Sequence, residues 1–355
     1  MKSVIVDKVA SVAQHNDVGG ELRLSKDIPC EEGVLIAVRV LNNKTRYNQL
    51  ELTSGRMATV NQGDIVVGAL GHRNALRGYS GHLPSELNIG DTIQILNIGG
   101  VLGICDSANP DVGPPFDCNV LGTVLDFPYL GERIGVPARV GASSLDDNAT
   151  LDTGGVPVVA LAGTCMDSGK TAAACAIVGR LRHRGLHVAA CKATGVSLRR
   201  DILAMEDAGA RESMIFSDLG VVTTTADNGP ALTRSLLTCL AEKRPDVIVL
   251  ELGDGILGCY GVEAILTDDE IRDALTAVVL CANDPVSAWG GAKILREDFN
   301  IEPLLVTGPA TDNAVGIQQI RERVGLTGIN ALSNGVALGD AIADALADAI
   351  AGATS

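Results

Sequence analysis

The spacing of apolar positions changes near the middle of the chain. Between 34 and 124 they come as short β-branched runs, at 34–41 (VLIAVRVL), 64–70 (DIVVGAL), 92–98 (TIQILNI) and 120–125 (VLGTVL), punctuated by Gly, Asn and Pro clusters. Little there repeats at helical period, so a β-rich domain is expected, a barrel or a sandwich. Prolines make 105–115 an irregular loop. From 158 onward the pattern alternates. Continuous apolar runs at 158–162, 187–192, 246–252, 277–282 and 303–307 read as buried strands. Helix-spaced stretches at 172–184, 201–210, 230–243, 284–299, 312–324 and 336–350 fall between or after them, the first closed by Gly185. This alternation predicts an α/β domain, a parallel sheet with helices on both faces. The polar, small-residue stretch 141–155 marks the linker region. The expected division is a β-rich domain over 1–145, a linker over 146–156 and an α/β domain over 157–355.

In open parallel sheets ligands sit beyond the carboxyl ends of the strands, so residues following each strand are the candidates. After the first strand comes Gly163-Thr164-Cys165-Met166-Asp167-Ser168-Gly169-Lys170-Thr171, then alanine-rich helical sequence from Ala172. Strand, glycine-bounded loop and Gly-Lys-Thr at a helix start form a phosphate cradle, with backbone N–H groups converging at the positive end of a helix. Gly163, Thr164, Asp167, Ser168, Gly169, Lys170, Thr171 and Ala172 are the expected cradle, Lys170 reaching the terminal phosphates and Thr171 holding Mg²⁺. The usual spacing is G-x-x-x-x-G-K-[ST]; here the first glycine stands one residue further out and Thr164 takes its place.

Other strand ends bring Lys192-Ala193-Thr194-Gly195, then Arg199-Arg200-Asp201; Glu251-Leu252-Gly253-Asp254; Asn283-Asp284-Pro285; and Thr307-Gly308-Pro309. Mg²⁺ favours carboxylates with phosphate oxygens, which nominates Thr171, Asp201 and Glu251 as its ligands. Lys170, Lys192 and Glu251 are the expected catalytic groups, with Gly195, Gly253 and Asp254 near substrate. Plainer readings stand beside these. Lys192 can be a solvated strand end and Asp201 a helix cap, with Ser197, Asp207 and Asp218 as rivals for the metal. A carboxylate at Glu251 is costly unless paired or coordinated.

Charge narrows the partners. With 28 basic against 43 acidic residues the chain carries net −15, which disfavours nucleic acid and anionic membranes. The stretch from Gly71 to His82, with two arginines, two histidines and three glycines, is its most cationic segment. Arg73 and Arg77 there suit an anionic substrate, or the segment is a solvated hairpin loop. His72, His82, Cys105 and Cys118 lack the spacing of a metal site. Nine scattered cysteines without a C-x-x-C pair read as reduced, mostly buried thiols. No leader-length or membrane-length apolar run occurs, so a cytoplasmic protein is expected.

The loop 163–171 resembles that of dethiobiotin synthetase and its relatives, which share the extra residue before Gly-Lys-Thr. Lys192-Ala193-Thr194-Gly195 is similar to that family's lysine turn, Asp201 to its helix-opening Mg²⁺ ligand, and Glu251 with Gly253-Asp254-Gly255 to its glutamate-glycine turn. The likeness covers roughly 155–355. It extends to a wider group of phosphate-loop proteins with an added N-terminal domain, some of them resembling N-acyltransferases for an acidic amino acid; Asp207-Ala208-Gly209-Ala210 and Asp218-x-Gly220 favour that group. Partitioning ATPases of the superfamily carry an early second lysine where this chain has Cys165. The resemblance implies an ATP- and Mg²⁺-dependent ligase-type enzyme, a homo-oligomer acting on a small acidic substrate. In such an enzyme a carboxylate or carbamate attacks the γ-phosphate and an amine captures the acyl phosphate. The alternatives are a phosphate-loop N-acyltransferase using an acyl-CoA-type donor, and a nucleotide-binding regulatory or metal-delivery module.

Overall fold

Strands buried on both faces read as unbroken apolar runs, whereas strands with one wet face alternate. The second half of the chain obeys the first rule. In the computed structural model, which describes residues 2–16, 18–129, 131 and 133–353, six parallel strands form one sheet. They are β1 (Val158–Gly163), β2 (Val188–Lys192), β3 (Glu212–Ile215), β4 (Val247–Leu252), β5 (Leu275–Cys281) and β6 (Leu305–Thr307). Their order across the sheet is β3-β2-β4-β1-β5-β6. Every residue of β1, β2 and β4 is buried.

The connecting helices are α1 (Lys170–His183), α2 (Arg200–Ala208), α3 (Gly229–Ala241), α4 (Val262–Thr267), α5 (Asp269–Ala274) and α6 (Pro285–Phe299). They are followed by α7 (Ala314–Gln319) and α8 (Gly335–Ala353). Crossovers between parallel strands are right-handed as a rule, so connections that run both ways across this sheet put helices on both faces; α1 packs on α8, and α3 packs on α4 and α5. The chain leaves β1 toward β2 but leaves β5 toward β6, so the loops beyond these neighbours diverge at a topological switch point.

Three sequence expectations change here. The edge strand β3, only 4 residues long, and the short helices α4 and α5 were not expected. The helix expected over 312–324 is α7 followed by a π-helical turn, Ile320–Val324.

The chain divides into two compact units. The α/β sheet belongs to the second, which takes Asp146–Gly195, Asp201–Ile215 and Thr224–Ser355; the first takes Met1–Leu145, Val196–Arg200 and Phe216–Thr223. In the first unit, five strands pair in a ring: Phe116–Asp126 with Leu35–Val40, then Ile65–Leu70, Val101–Ala108, Thr92–Ile95, and back to Phe116–Asp126. Closure of that ring makes the β-rich domain a barrel. Val38, Val66, Ile93, Leu102 and Val120 contribute to its core. A bulge lies between Val120 and Gly122, where φ of +143° and the carbonyl of Ser25, 2.3 Å from where a Cβ would lie, admit glycine alone. The expected loop over 105–115 starts later. Cys105–Ala108 continues the strand that pairs with Tyr79–His82, a local exposed hairpin edge where polar residues tolerate strand geometry.

Within this first unit the two later segments are held by polar contacts. Val196 bridges Thr223, Asn97 Nδ2 donates to the Ser197 carbonyl (2.7 Å) and the Arg199 N–H donates to Glu51 Oε2 (2.7 Å). Thr223 Oγ1 donates to the His72 carbonyl at 2.6 Å.

Candidate functional site: the carboxyl edge of the parallel sheet

The loop after β1 turns through two left-handed residues, Asp167 (φ 58°) and Gly169 (φ 87°). Gly169 is the N-cap of α1 and supplies no side-chain cap. An α-helix cannot satisfy its own first N–H groups. Those of Lys170, Thr171 and Ala172 therefore face into the loop at the positive end of a 14-residue helix. Neighbouring strand ends approach too closely for side chains. A Cβ on Gly308 would lie 2.2 Å from the Ser168 carbonyl, and one on Gly163 would lie 2.7 Å from Lys170 Nζ. The turn after β4 is tied to the loop as well, the Ile256 N–H donating to the Gly163 carbonyl at 2.7 Å.

Lys170 is 7 % exposed. Its ammonium donates to the carbonyls of Cys165 (3.0 Å) and Asp254 (2.5 Å) and to Ser168 Oγ (3.4 Å). A cation is thus held inside the loop by oxygens of the chain, where phosphate oxygens would offer stronger, charged acceptors.

Lys192 and Glu251 are register partners on adjacent parallel strands, so their side chains leave the same face of the sheet. Lys192 Nζ lies 3.9 Å from Glu251 Oε1 and also pairs with Asp201 Oδ2 at the start of α2. Thr171 Oγ1 donates to the same Glu251 Oε1 at 3.3 Å. Burial, with the nearby Asp201 carboxylate, pushes the Glu251 carboxyl above its ordinary range, while Lys192, Lys170 and the Thr171 hydroxyl pull it back.

Buried side-chain oxygens without a hydrogen-bond partner collect along this edge. Thr164 Oγ1, Thr194 Oγ1, Glu251 Oε2, Asn283 Oδ1 and Thr307 Oγ1 lie at the ends of β1, β2, β4, β5 and β6 in turn. Buried polar atoms are ordinarily satisfied, so five such oxygens at successive strand ends make this edge the candidate binding surface; the first unit has unpartnered atoms too, among them Ser11 Oγ, Glu51 Oε1 and Arg73 Nε. The sequence named these strand ends without assigning roles to Thr194, Asn283 or Thr307. Their signal is position: each is a small polar residue at the end of a buried apolar strand. Beyond β5 and β6 lies a hollow of about 610 Å³ whose lining includes Asn283, Pro285, Pro309, Val315 and Gln319.

The predicted cradle, Lys170, Thr171, Lys192, Asp201, Glu251 and Asp254 are thus brought to one edge. Gly195 and Gly253 flank it: the Gly195 N–H bonds Thr224 Oγ1 (2.8 Å), and a Cβ on Gly253 would lie 3.3 Å from the Thr194 carbonyl.

In the first unit the expected cationic loop is a hairpin, Arg73 opposite Gly81 and Asn74 opposite Ser80. Arg73 is buried, donating to the Leu96 carbonyl and to Tyr47 Oη (3.0 Å), with its guanidinium over the Tyr47 ring. Arg77 is exposed in the intervening turn. His72 pairs with Glu32 and His82 with Asp106. Among the described residues no group of three or more His, Cys, Asp or Glu side chains is placed to hold a metal, and no helix is long and apolar enough to cross a membrane. All nine cysteines are free, and burial pushes the Cys191 and Cys281 thiols up to about 12.

A six-stranded parallel sheet, a glycine-bounded loop and an uncapped helix start carrying Lys170 define the second unit as an α/β domain of the phosphate-loop kind. No family model matches the chain, and no curated relative does. Solved structures it is similar to include the signal recognition particle 54 kDa protein from Aeropyrum pernix in complex with GDP. That likeness has 17 % identity and TM-score 0.38, covering 56 % of this chain and 48 % of that one. The hydrogenase maturation factor HypB from Archaeoglobus fulgidus is similar at 15 % identity and TM-score 0.36, covering 56 % and 91 %. A DUF1611 family protein from Anabaena variabilis is similar at 15 % identity and TM-score 0.38, covering 59 % and 62 %. The match spans about half the length of the first of these. Likenesses this weak carry no argument, and the class rests on the chain's own geometry.

Proposed function

We propose that the second unit takes up the polyphosphate of a nucleoside triphosphate with Mg²⁺ and activates a small carboxylate or carbamate by phosphoryl transfer. The observation that carries this reading is the Lys170 ammonium buried in the loop at an uncapped helix start, beside the Thr171–Glu251 contact.

On uptake Lys170 exchanges its carbonyl partners for phosphate oxygens, and the first amides of α1 bind the same group. The hollow beyond β5 and β6 takes the nucleoside end. Lys192 neutralises the transferring group or holds the acceptor acid, with Gly195, Gly253 and Asp254 around it. Such transfer is mainly positioning and charge neutralisation, which this edge can supply.

The residues also fit a divalent ion. Mg²⁺ keeps waters and phosphate oxygens as most of its ligands, so Thr171 and Glu251 suffice from the chain, and Glu251 Oε2 has no other partner. When bound, the ion would neutralise phosphate charge. Asp201 is engaged by Lys192, so its part in holding the ion is less direct than Glu251's.

Calorimetry of the full chain with ATP, GTP and coenzyme A, each with and without Mg²⁺, tests the reading. Uptake of a nucleotide triphosphate, lost in Lys170→Ala, supports it; ADP release on adding a small acid with an amine supports the ligase chemistry. Stabilisation by coenzyme A alone would replace it with the acyl-donor reading. Slow hydrolysis unaffected by any acceptor would favour a regulatory module.

A further inference from the structure

A single carboxylate oxygen, Glu251 Oε1, faces two different sites for positive charge. On one side the Thr171 hydroxyl approaches to 3.3 Å, and on the other the Lys192 ammonium stands at 3.9 Å. Glu251 is 2 % and Lys192 8 % exposed, so little water screens one from the other. We propose that Lys192 is a resident counter-cation of this edge, competing with the divalent ion for Glu251 and giving way to it toward Asp201. The inference rests on the metal–nucleotide reading above.

A buried carboxylate needs a compensating charge at all times. With no ion beside Thr171, Lys192 and the more distant Lys170 supply it; these are the basic groups acting on Glu251, and Asp201 is the acidic one. A divalent ion between Thr171 and Glu251 would place positive charge next to the ammonium, and the two repel. Coupling of this kind is reciprocal: whatever holds the ammonium on Glu251 weakens the metal by the same factor that the metal weakens the ammonium's hold. Asp201, paired with the same ammonium from the first turn of α2, is the tether that lets Lys192 yield without being left unpaired. Asp201 is accordingly a positioning residue for Lys192, in place of the direct metal ligand expected from the sequence.

The experiment is a Mn²⁺ titration of the ADP-loaded full chain, read by electron paramagnetic resonance. Lys192→Met, which keeps the stem and removes the charge, is expected to bind Mn²⁺ about tenfold more tightly than the wild type. Unchanged or weaker binding overturns the proposal. Lys192→Arg keeps the charge on a fork that reaches both carboxylates, and is expected to bind Mn²⁺ no more tightly than the wild type. Should Lys192→Met fail to fold, weaker binding by Lys192→Arg, whose fork holds Glu251 more firmly, supports the proposal, and equal or tighter binding overturns it. Adding Asp201→Asn to Lys192→Met separates the roles of Asp201: no further change supports a tether, and a further fold-loss of Mn²⁺ affinity overturns that assignment. A chain that takes up ADP while the Lys192→Met affinity stays flat loses the counter-cation alone. A chain that takes up neither ADP nor Mn²⁺ loses both readings.

Discussion

Two places in this chain gather positive side chains from an acidic sequence, and they differ in which polar atoms are left unmatched. In the barrel, Arg73 is buried with its Nη1 donating to a carbonyl and a phenol and its plane over a ring; the oxygens it grips are matched, and the unmatched atom is its own donor Nε. At the carboxyl edge of the parallel sheet, Lys170 and Lys192 are buried too, yet five side-chain oxygens at the strand ends of that edge have no hydrogen-bond partner. Burial of a cation therefore does not distinguish scaffold from site. The state of its neighbours does, because a folded chain seldom leaves buried polar atoms unmatched unless something else completes them.

The largest expected effect tests the second place. Lys170→Ala removes the ammonium from the loop and leaves its three oxygen partners without it. Charge-assisted contacts to phosphate are among the strongest a loop makes, so nucleotide affinity should fall by about 100-fold or more, about 2.7 kcal/mol. Calorimetry checks this, and an affinity within a few-fold of wild type would remove the distinction drawn between the two places.

Glu251→Gln comes next. It keeps the shape and removes the charge, so Mn²⁺ affinity of the nucleotide-bound chain should fall by about tenfold or more. The same carboxylate gives a pH signature. Its folded-state pKa is raised, so its contribution to stability is fully present below the unfolded value of about 4.3 and is lost as pH rises through the folded value. Metal uptake has the opposite sign, because the ion needs the carboxylate. Affinity should drop as pH falls through the raised value, at a higher pH than an exposed glutamate would give, and the drop should be absent in Glu251→Gln.

Much of this was legible in the sequence. The buried strands β1, β2, β4 and β5 announce themselves as unbroken apolar runs, and Gly-Lys-Thr after the first of them locates the loop. Lys192 and Glu251 are legible as residues at strand ends, because parallel strands in register bring their final residues side by side. What local pattern does not carry is pairing at a distance. Nothing in residues 196–200 or 216–223 tells that they pack with the barrel unit. Composition likewise could not tell that Arg73 folds inward while Arg77, four residues on, stays out. The edge strand β3 escaped notice because Glu212-Ser213-Met214-Ile215 is too short and too polar to read as a strand without its partner β2.

Arg73→Met breaks the other half of the comparison. It strips the Leu96 carbonyl and Tyr47 hydroxyl of a buried donor and removes the cation over the Tyr47 ring. Leaving the buried Leu96 carbonyl unmatched should cost about 1–3 kcal/mol of stability, offset in part because the unpartnered Nε goes as well. Denaturant unfolding of the variant measures it. Nucleotide affinity of the folded protein should be unchanged, the reverse of Lys170→Ala.

The smallest effect belongs to Arg77, and it sharpens the comparison most finely. Arg77 shares the hairpin, the charge and the glycine-rich surroundings of Arg73, but its side chain is exposed. Contacts made by an exposed charged side chain are worth little, and surface substitutions usually change stability by about 0.5 kcal/mol or less. Arg77→Ala should therefore leave the unfolding midpoint nearly unmoved while Arg73→Met lowers it. If Arg77 also grips an anionic substrate, that variant will weaken binding of the small acid in proportion to its charge, with nucleotide affinity and stability both intact. A pure stability loss in Arg77→Ala would instead place it with Arg73 among the groups that hold the barrel together.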